Sequence, residues 1–337
     1  MKEITFVCPD NENELLIKEG EYYVSPVTQK KFSIRPVLDL MGEQVTQVSD
    51  HYTTQWSSNL GFANLMKNAD AAKFTPGRQL GWPELFKRIR SEAMSKETFV
   101  LDAACGFGGI FMELFSDPVP EKLFYLGADF HSSLGDIVVP SNIAGKQAMF
   151  VRWDISKKLP VQEKFDYVIC RAALHHTAEP EKTLRSLVDV LHTDGTLAIT
   201  VYTQKAPMRE ALDDHFRDKI AALPNNDAWE VVKQFTKLGC DLQAVNEKIT
   251  IVNDLPFLGI KAGEYGVQEF IYDHFMKCWY NNQFGEHSNI VNFDWYHPSY
   301  AYRYTLEQIT TMVESVGLTV KKTDSIKAQH YLECIKK

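Results

Sequence analysis

Cysteine is sparse and never closely paired: six thiols stand at positions 8, 105, 170, 240, 278 and 334 of 337 residues, with no Cys-x-x-Cys. That argues against a disulfide scaffold and reads as reduced thiols in a cytoplasmic protein. No apolar run approaches the ~18 residues of a membrane span. Met1-Lys-Glu-Ile-Thr has no apolar signal core, so no membrane partner is expected. Positive charge is in deficit, with 36 Lys and Arg against 44 Asp and Glu for a net charge of −8. Nucleic acid favours a basic surface, so this balance argues against it as a partner. A Gly-Lys-Ser/Thr loop is missing as well, which removes the P-loop triphosphatases. What is present, 45% hydrophobic, 24% charged and 12% aromatic residues, is ordinary for a globular chain. A chain of this length can bury a large core, as one big domain with an attachment.

The chain is organised around Phe99-Val-Leu-Asp-Ala-Ala-Cys-Gly-Phe-Gly-Gly109. Its first four residues read as the end of a buried strand, and Ile110 to Phe115 has a helical apolar pattern. Strand, glycine turn and helix open the nucleotide site of many α/β sheets, because glycine lets backbone approach a ligand closely. The pyrophosphate fingerprint fails here, since the third glycine position falls on Phe111. Further buried strands are expected at Leu123–Asp129, Ala148–Arg152, Phe165–Cys170 and Thr196–Tyr202, with a broken helix over 130–147 and a helix from Pro180 to His192. Asp102, Asp129, Asp154 and Arg171 then stand at the tips of successive strands, where ligands of parallel sheets bind. An earlier helix is expected from Pro83, with Leu85, Phe86, Ile89 and Met94 as its core stripe.

These pieces taken in order, Val100-Leu-Asp-Ala-Ala-Cys-Gly-Phe-Gly108, Gly127-Ala-Asp129, Asp154-Ile and Phe165-Asp-Tyr-Val-Ile-Cys-Arg-Ala-Ala-Leu-His-His176, resemble class I S-adenosylmethionine-dependent methyltransferases. The resemblance covers about 83–202 and resumes over 305–337. It implies an α/β fold: a Rossmann-like seven-stranded mostly parallel sheet with helices on both faces. A small N-terminal β module and a large, mainly helical insertion before the last two strands complete it. It also implies S-adenosylmethionine as cofactor. Asp102, Ala103, Ala104, Gly106 and Gly108 would face its methionine part. Asp129 would take the ribose hydroxyls, Trp153, Asp154 and Ile155 the adenine, and Cys170 and Arg171 the middle. Ala104 stands where the family often has glycine, which permits close approach if its φ is negative.

The first 45 residues resemble the small zinc ribbon that precedes some methyltransferase domains. Cys8 stands in place, but Asn11, Val24 and Val27 occupy the other three thiolate positions, so no metal is expected. The plain alternative is an N-terminal β extension. Residues 46–82 read as a linker or lid with Tyr52, Trp56 and Phe62, and a turn at Thr75–Arg78. The core follows over 83–202, an acceptor-binding insertion or cap over 203–304, and the closing helix and strands over 305–337. Within the insertion, helices are expected at Pro207–Ala221, Ala228–Leu238 and Val267–Trp279. Ile251–Gly259 reads as extended or irregular. Asn292–Arg303 is rich in aromatic, histidine and arginine side chains, which suits a pocket wall as well as plain packing. Tyr202, Arg209, Trp295, Tyr296, Tyr300 and Arg303 are the acceptor-binding candidates. Arg209, Lys277 and Arg303 read individually as surface or salt-bridge residues, with one of them suited to an acceptor carboxylate or phosphate. Thr305 and Gly317 cap the closing helix.

The expected function is direct methyl displacement onto a small molecule, with a homodimer left open. The alternatives are a non-catalytic S-adenosylmethionine-binding scaffold or regulator, and a macromolecular methyltransferase. No Asn/Asp-Pro-Pro-Tyr/Phe sequence, carried by many nucleic-acid amino methyltransferases, occurs here. His176 and His297 compete for the role of base. His175 and His176 are expected to diverge, His175 toward structure and His176 toward the pocket. The alternative for His176 is a residue that only orders its loop.

Overall fold

Strict alternation along the strands builds the central sheet and decides what each face meets. The computed structural model describes residues 4–35, 37–41, 51–52, 54, 80–137, 139–140, 143 and 146–337. Of the expected lid, Trp56, Phe62 and the turn at Thr75–Arg78 lie outside the described residues. Contacts divide the chain into two units. The first takes in Met1–Val45, Pro76–Tyr202 and Tyr304–Lys337, the second Thr46–Thr75 and Thr203–Arg303.

In the first unit the sheet strands are β1 (Leu38–Asp39), β2 (Thr98–Ala103), β3 (Leu123–Asp129), β4 (Ala148–Arg152), β5 (Phe165–Arg171), β6 (Leu191–Thr203), β7 (Leu318–Ser325) and β8 (Gln329–Lys336). Their order is β7-β8-β6-β5-β2-β3-β4-β1, parallel except for β8, which runs antiparallel to both neighbours. The described sheet has nine strands where seven were expected. Arg303–Tyr304 is a short strand off this path, and β1 extends the edge. Register places Asp39 opposite Arg152, and their side chains pair at 2.9 Å.

Phe99, Leu101 and Ala103 of β2, with Phe124, Leu126 and Ala128 of β3, point into one core. Val100, Leu123 and Tyr125 point into the other. This period of two is what a strand buried on both faces requires. The second core is covered by α1 (Trp82–Ala93) and α2 (Gly109–Leu114). The first core receives α3 (Pro180–Asp189), the helix Leu306–Ser315 and the N-terminal module. The helix stripe read from Pro83 holds for Leu85, Phe86 and Ile89. Met94 caps α1 and is 53% exposed, because the helix ends one residue short of it. The helix expected to reach His192 stops at Asp189, and His192 joins β6. Thr305 and Gln308 form a reciprocal capping box at the start of the last helix.

In the N-terminal module Val7–Cys8 pairs with Asn11–Leu15, and Ile17–Glu19, Tyr22–Val24 and Lys31–Ser33 make a second antiparallel sheet. The Glu14 carboxylate joins the two turns. It accepts from the Ser25 hydroxyl, from the Val27 N–H at 2.9 Å and from the Asn11 amide at 3.4 Å. Asn11 and Val27 are two of the positions compared with ribbon thiolates, so a hydrogen-bonded carboxylate links the segments there.

In the second unit α4 (Pro207–Ile220), α5 (Asn225–Gln243), α6 (Val267–His274) and α7 (Ser288–Tyr296) are joined by a hairpin, Lys248–Ile251 with Gly263–Gly266. The hairpin replaces part of the irregular stretch. The helix expected to reach Trp279 ends at His274. Most of α7 falls in the stretch read as a pocket wall. Its buried face includes Ser288, Asn289 and Asn292, so no apolar period announces it. The Asn292 amide is fully occupied, donating to Thr236 Oγ1 and the Trp279 carbonyl and accepting from the Trp279 N–H. Among the described residues no helix is long and apolar enough to cross a membrane.

Candidate functional site

At the tip of β2, alternation sends Asp102 to the face shared with Tyr125 and Arg171. Register sets Asp102 opposite Ile169 of β5 and Gly127 of β3. Tyr125 donates its hydroxyl to Asp102 Oδ2 at 2.6 Å, while Asp102 Oδ1 is buried with no hydrogen-bond partner among the described residues. Burial pushes the Asp102 carboxyl up to about 7; the Tyr125 hydrogen bond and the Arg171 charge pull it back down, and Asp129 adds repulsion.

The glycine turn beyond is clamped to the tip of β3. The Gly106 N–H donates to Asp129 Oδ2 at 2.8 Å, and the Gly106 carbonyl accepts from His131 Nε2 at 3.0 Å. Asp129 Oδ1 accepts from the Phe130 N–H at 2.8 Å. Oδ1 also accepts from the His131 N–H at 3.4 Å, so of the carboxylate's four or so lone-pair directions the spare capacity is on Oδ2. The turn itself is left-handed at Ala104, Gly106 and Gly108, with φ of 65°, 54° and 80°. Ala104 therefore does not adopt the negative φ on which close approach there depends. Its Cβ sits in a conformation costing roughly 1–2 kcal/mol. Ala172, just past the tip of the neighbouring strand β5, also has a positive φ, 56°. Two alanines held this way at adjacent strand tips mark a place where backbone strain is stored.

At the tip of β4 the Asp154 Oδ1 atom accepts from both the N–H and the hydroxyl of Ser156, at 2.9 and 2.7 Å. Trp153 and Ile155 are buried in the first core. After β5, Leu174–His176 forms a short 3-10 turn, and His175 and His176 are both buried. Their rings lie 4.3 Å apart, and both meet the Tyr202 ring, at 3.9 and 5.3 Å. The expected divergence is thus corrected: a tight turn, unlike a strand, brings neighbouring rings to one aromatic partner.

The second unit is centred on Asp213, which is fully buried. Its Oδ1 accepts from the Tyr296 hydroxyl and the Lys277 N–H, both at 2.8 Å. Its Oδ2 accepts from Trp295 Nε1 at 2.8 Å and Arg209 Nε at 3.1 Å. Burial of the Tyr296 phenol, and next the Asp213 charge, push it far above its usual range.

Residues 94–243 match a family model described as a methyltransferase domain, starting directly after α1 and ending with α5. Over this stretch the chain is similar to that family. The match spans less than half of the chain. Among solved structures, magnesium protoporphyrin IX methyltransferase (ChlM) from Synechocystis PCC 6803 with bound SAH is similar at 14% identity. That alignment covers 76% of this chain and 81% of that one, with a TM-score of 0.39. PKMT2 from Rickettsia typhi in complex with AdoHcy is similar at 13% identity, with 74% of this chain and 52% of that one covered and a TM-score of 0.46. No curated protein matches the chain.

Within the matched stretch the structure gathers Asp102, the Ala104–Gly108 turn, Asp129 and Arg171 at neighbouring tips. It turns the Cys170 thiol to the opposite face, into the first core, where burial pushes it up to about 12. Cys170 therefore offers that site backbone only, and Ala103 likewise packs its side chain in the first core. His297 is 1% exposed and has both ring nitrogens engaged. Nε2 donates to the Leu223 carbonyl at 3.1 Å, so in the neutral ring Nδ1 accepts from His51 Nδ1 at 2.6 Å. That arrangement leaves His297 no lone pair for an acceptor's proton and corrects its reading as a base. Tyr296 is equally committed, to Asp213 and to the Lys277 carbonyl. Arg303 is held by Glu210 and by both oxygens of Asp214, each at 2.7 Å. Tyr300 stacks against Tyr302 and is 37% exposed. Lys277, read as a surface or salt-bridge residue, is buried. Sequence reasoning missed Tyr125, His131 and Asp213. Only Asp213 left a trace, its spacing of four from Arg209 on a helix.

Proposed function

We propose that this chain is an S-adenosylmethionine-dependent methyltransferase acting on a small-molecule acceptor. The observation that carries this reading is Asp102 Oδ1, a buried oxygen without a partner beside the clamped glycine turn. Leaving such a group unmet costs about 1–3 kcal/mol, so a ligand donor belongs there. When bound, S-adenosylmethionine supplies a methyl group activated by its sulfonium. The residues fit it. Asp102 accepts from the amino group of the methionine part, and the Ala104–Gly108 backbone gives it room. Asp129 accepts from the ribose through Oδ2, with the lone pair that Gly106 leaves over. Asp154 receives the adenine edge through Oδ2, with Trp153 and Ile155 backing the strand tip from the core. Arg171 balances the charge of Asp102. Alignment and exclusion of water are the main demands on the protein in a direct displacement. His176 is the base that takes the acceptor's proton. The second unit supplies acceptor recognition through Arg209 and Trp295. The N-terminal module is a ribbon held without metal, its turns joined through Glu14.

Calorimetry with S-adenosylhomocysteine is expected to show binding that weakens as pH falls through about 7. The Asp102 carboxyl, raised to about 7 mainly by burial, must be ionised to receive an ammonium. Protonating it opposes binding, and binding near that pH releases protons. No binding by folded protein on the alkaline side would sink the reading.

His176→Ala is expected to lower turnover by about 10²–10⁴-fold while S-adenosylhomocysteine affinity stays unchanged. Full turnover, or a loss traced to failed cofactor binding, would remove His176 from this role. The acceptor class is tested with labelled cofactor against small-molecule, nucleic-acid and protein fractions. Label confined to the macromolecules overturns the small-molecule acceptor. Binding without label transfer to any fraction makes the protein a cofactor-binding scaffold.

A further inference from the structure

The second unit holds a buried ammonium, Lys277, within a cluster of cations around one aromatic ring. Five cationic groups surround the Trp295 ring: Lys277 at 4.6 Å from its centre, Arg217 at 5.3, Arg209 at 5.4, Lys205 at 5.8 and Arg303 at 6.0 Å. Arg303 and Arg217 are held by Glu210 and Asp214. Arg209 meets Asp213, but that carboxylate is filled by four donors and has no capacity left. The Lys205 ammonium donates to the Thr203 hydroxyl at 2.6 Å, a neutral partner. The Lys277 ammonium is the decisive group. It belongs to a side chain only 6% exposed and makes no hydrogen bond among the described residues. Its bond to Asp213 comes from its backbone N–H.

Cation–π contact with Trp295 cannot by itself explain this arrangement. Such a contact is weak beside the cost of taking an ammonium out of water next to other cations. The strain of that burial is visible in both lysines, whose ammonium groups are pushed down to about 7, chiefly by burial and further by Arg209. Asp294 acts on Lys277 only through its charge, and no hydrogen bond joins them. A fixed ammonium with unmet capacity, backed by an aromatic ring and flanked by further cations, suits an oxyanion.

We propose that Lys277, Lys205 and Arg209 form a subsite for an oxyanion, a carboxylate or phosphate group carried by the acceptor. The subsite lies wholly in the second unit. Its link to the acceptor rests on the proposed function; its capacity to bind an anion does not.

Calorimetry on the full-length protein with inorganic phosphate and, separately, with malonate tests both parts. At least one of the two probes is expected to bind saturably, one per chain, and the tighter of them identifies the anion class. Lys277→Met is expected to weaken that binding by about tenfold or more. It should leave unfolding temperature and S-adenosylhomocysteine affinity unchanged, because the backbone bond to Asp213 remains. Lys248→Met, on the exposed hairpin near Glu264, should change nothing. If Lys277→Met fails to fold, Lys205→Met provides the same comparison with the same expected loss. Absence of saturable binding by both probes, or equal binding by wild type and the lysine variant, overturns the subsite. Anion binding without S-adenosylhomocysteine binding would instead overturn the methyltransferase reading and leave the subsite standing.

Discussion

Asp129→Ala is expected to weaken S-adenosylhomocysteine binding by about 100-fold or more, which corresponds to ~2.7 kcal/mol. Two losses combine. The first is the acceptor for the ribose hydroxyls. The second is the tether of the glycine turn, since Asp129 takes the N–H of Gly106 and that of Phe130, both at 2.8 Å. Hydrogen bonds to a charged group are each worth roughly 1.5–3 kcal/mol, so either loss alone approaches the stated effect. The His131 bond to the Gly106 carbonyl remains and should hold part of the turn, so the fold survives. Asp129→Asn should fail nearly as badly. Both carboxylate oxygens accept from backbone N–H groups, and the amide presents one of them with an N–H instead. Calorimetry and a thermal melt on both variants decide the matter. Affinity within about threefold of wild type, with the fold intact, would show that Asp129 is not the ribose acceptor.

The second large effect is on stability. Asp213→Asn is expected to destabilise the second unit by about 3–5 kcal/mol, the range for breaking a buried charge pair. Asp213 takes four donors, among them Arg209 Nε, Trp295 Nε1 and the Tyr296 hydroxyl, and it is fully buried. The asparagine side chain keeps the shape but turns two N–H groups toward donors. It also leaves the Arg209 guanidinium buried without its counter-charge. The fall in unfolding temperature should be on the order of 10 °C. A double-mutant cycle with Arg209→Met isolates the pair, because removing both charges should cost less than the two single changes summed. A shift in unfolding temperature of less than about 2 °C for Asp213→Asn would contradict the hub assigned to it.

Much of the first unit was legible because its signals are local. Val100–Asp102 and Leu123–Asp129 show themselves as buried strands, and an acid at each tip follows directly in sequence. The turn chemistry of Gly106 and Gly108 is equally local, and both glycines have positive φ. Right-handed crossovers leave few ways to arrange such alternating strands and helices, so the parallel order follows from their succession. The same reading went wrong wherever the backbone departed from a regular period. Ala104 adopts the left-handed conformation that glycine would take freely. His175 and His176 share one aromatic neighbour because they sit on a tight turn and not on a strand.

The sequence by itself determined the α/β class, the strand tips and the acidic residues presented there, because strand period and glycine turns act over a few neighbouring residues. Only the tertiary structure decided which groups have partners. Tyr125 finds Asp102 across two strands, and His131 finds Gly106 across the turn. Asp213 collects donors from α4, α7 and the segment after α6. Lys277 is buried and makes no hydrogen bond among the described residues, where its residue type suggested a surface or salt-bridge role or an acceptor anion. The reason is that hydrogen-bond satisfaction and desolvation depend on groups far apart along the chain, and no local pattern of residue types records which of them will meet.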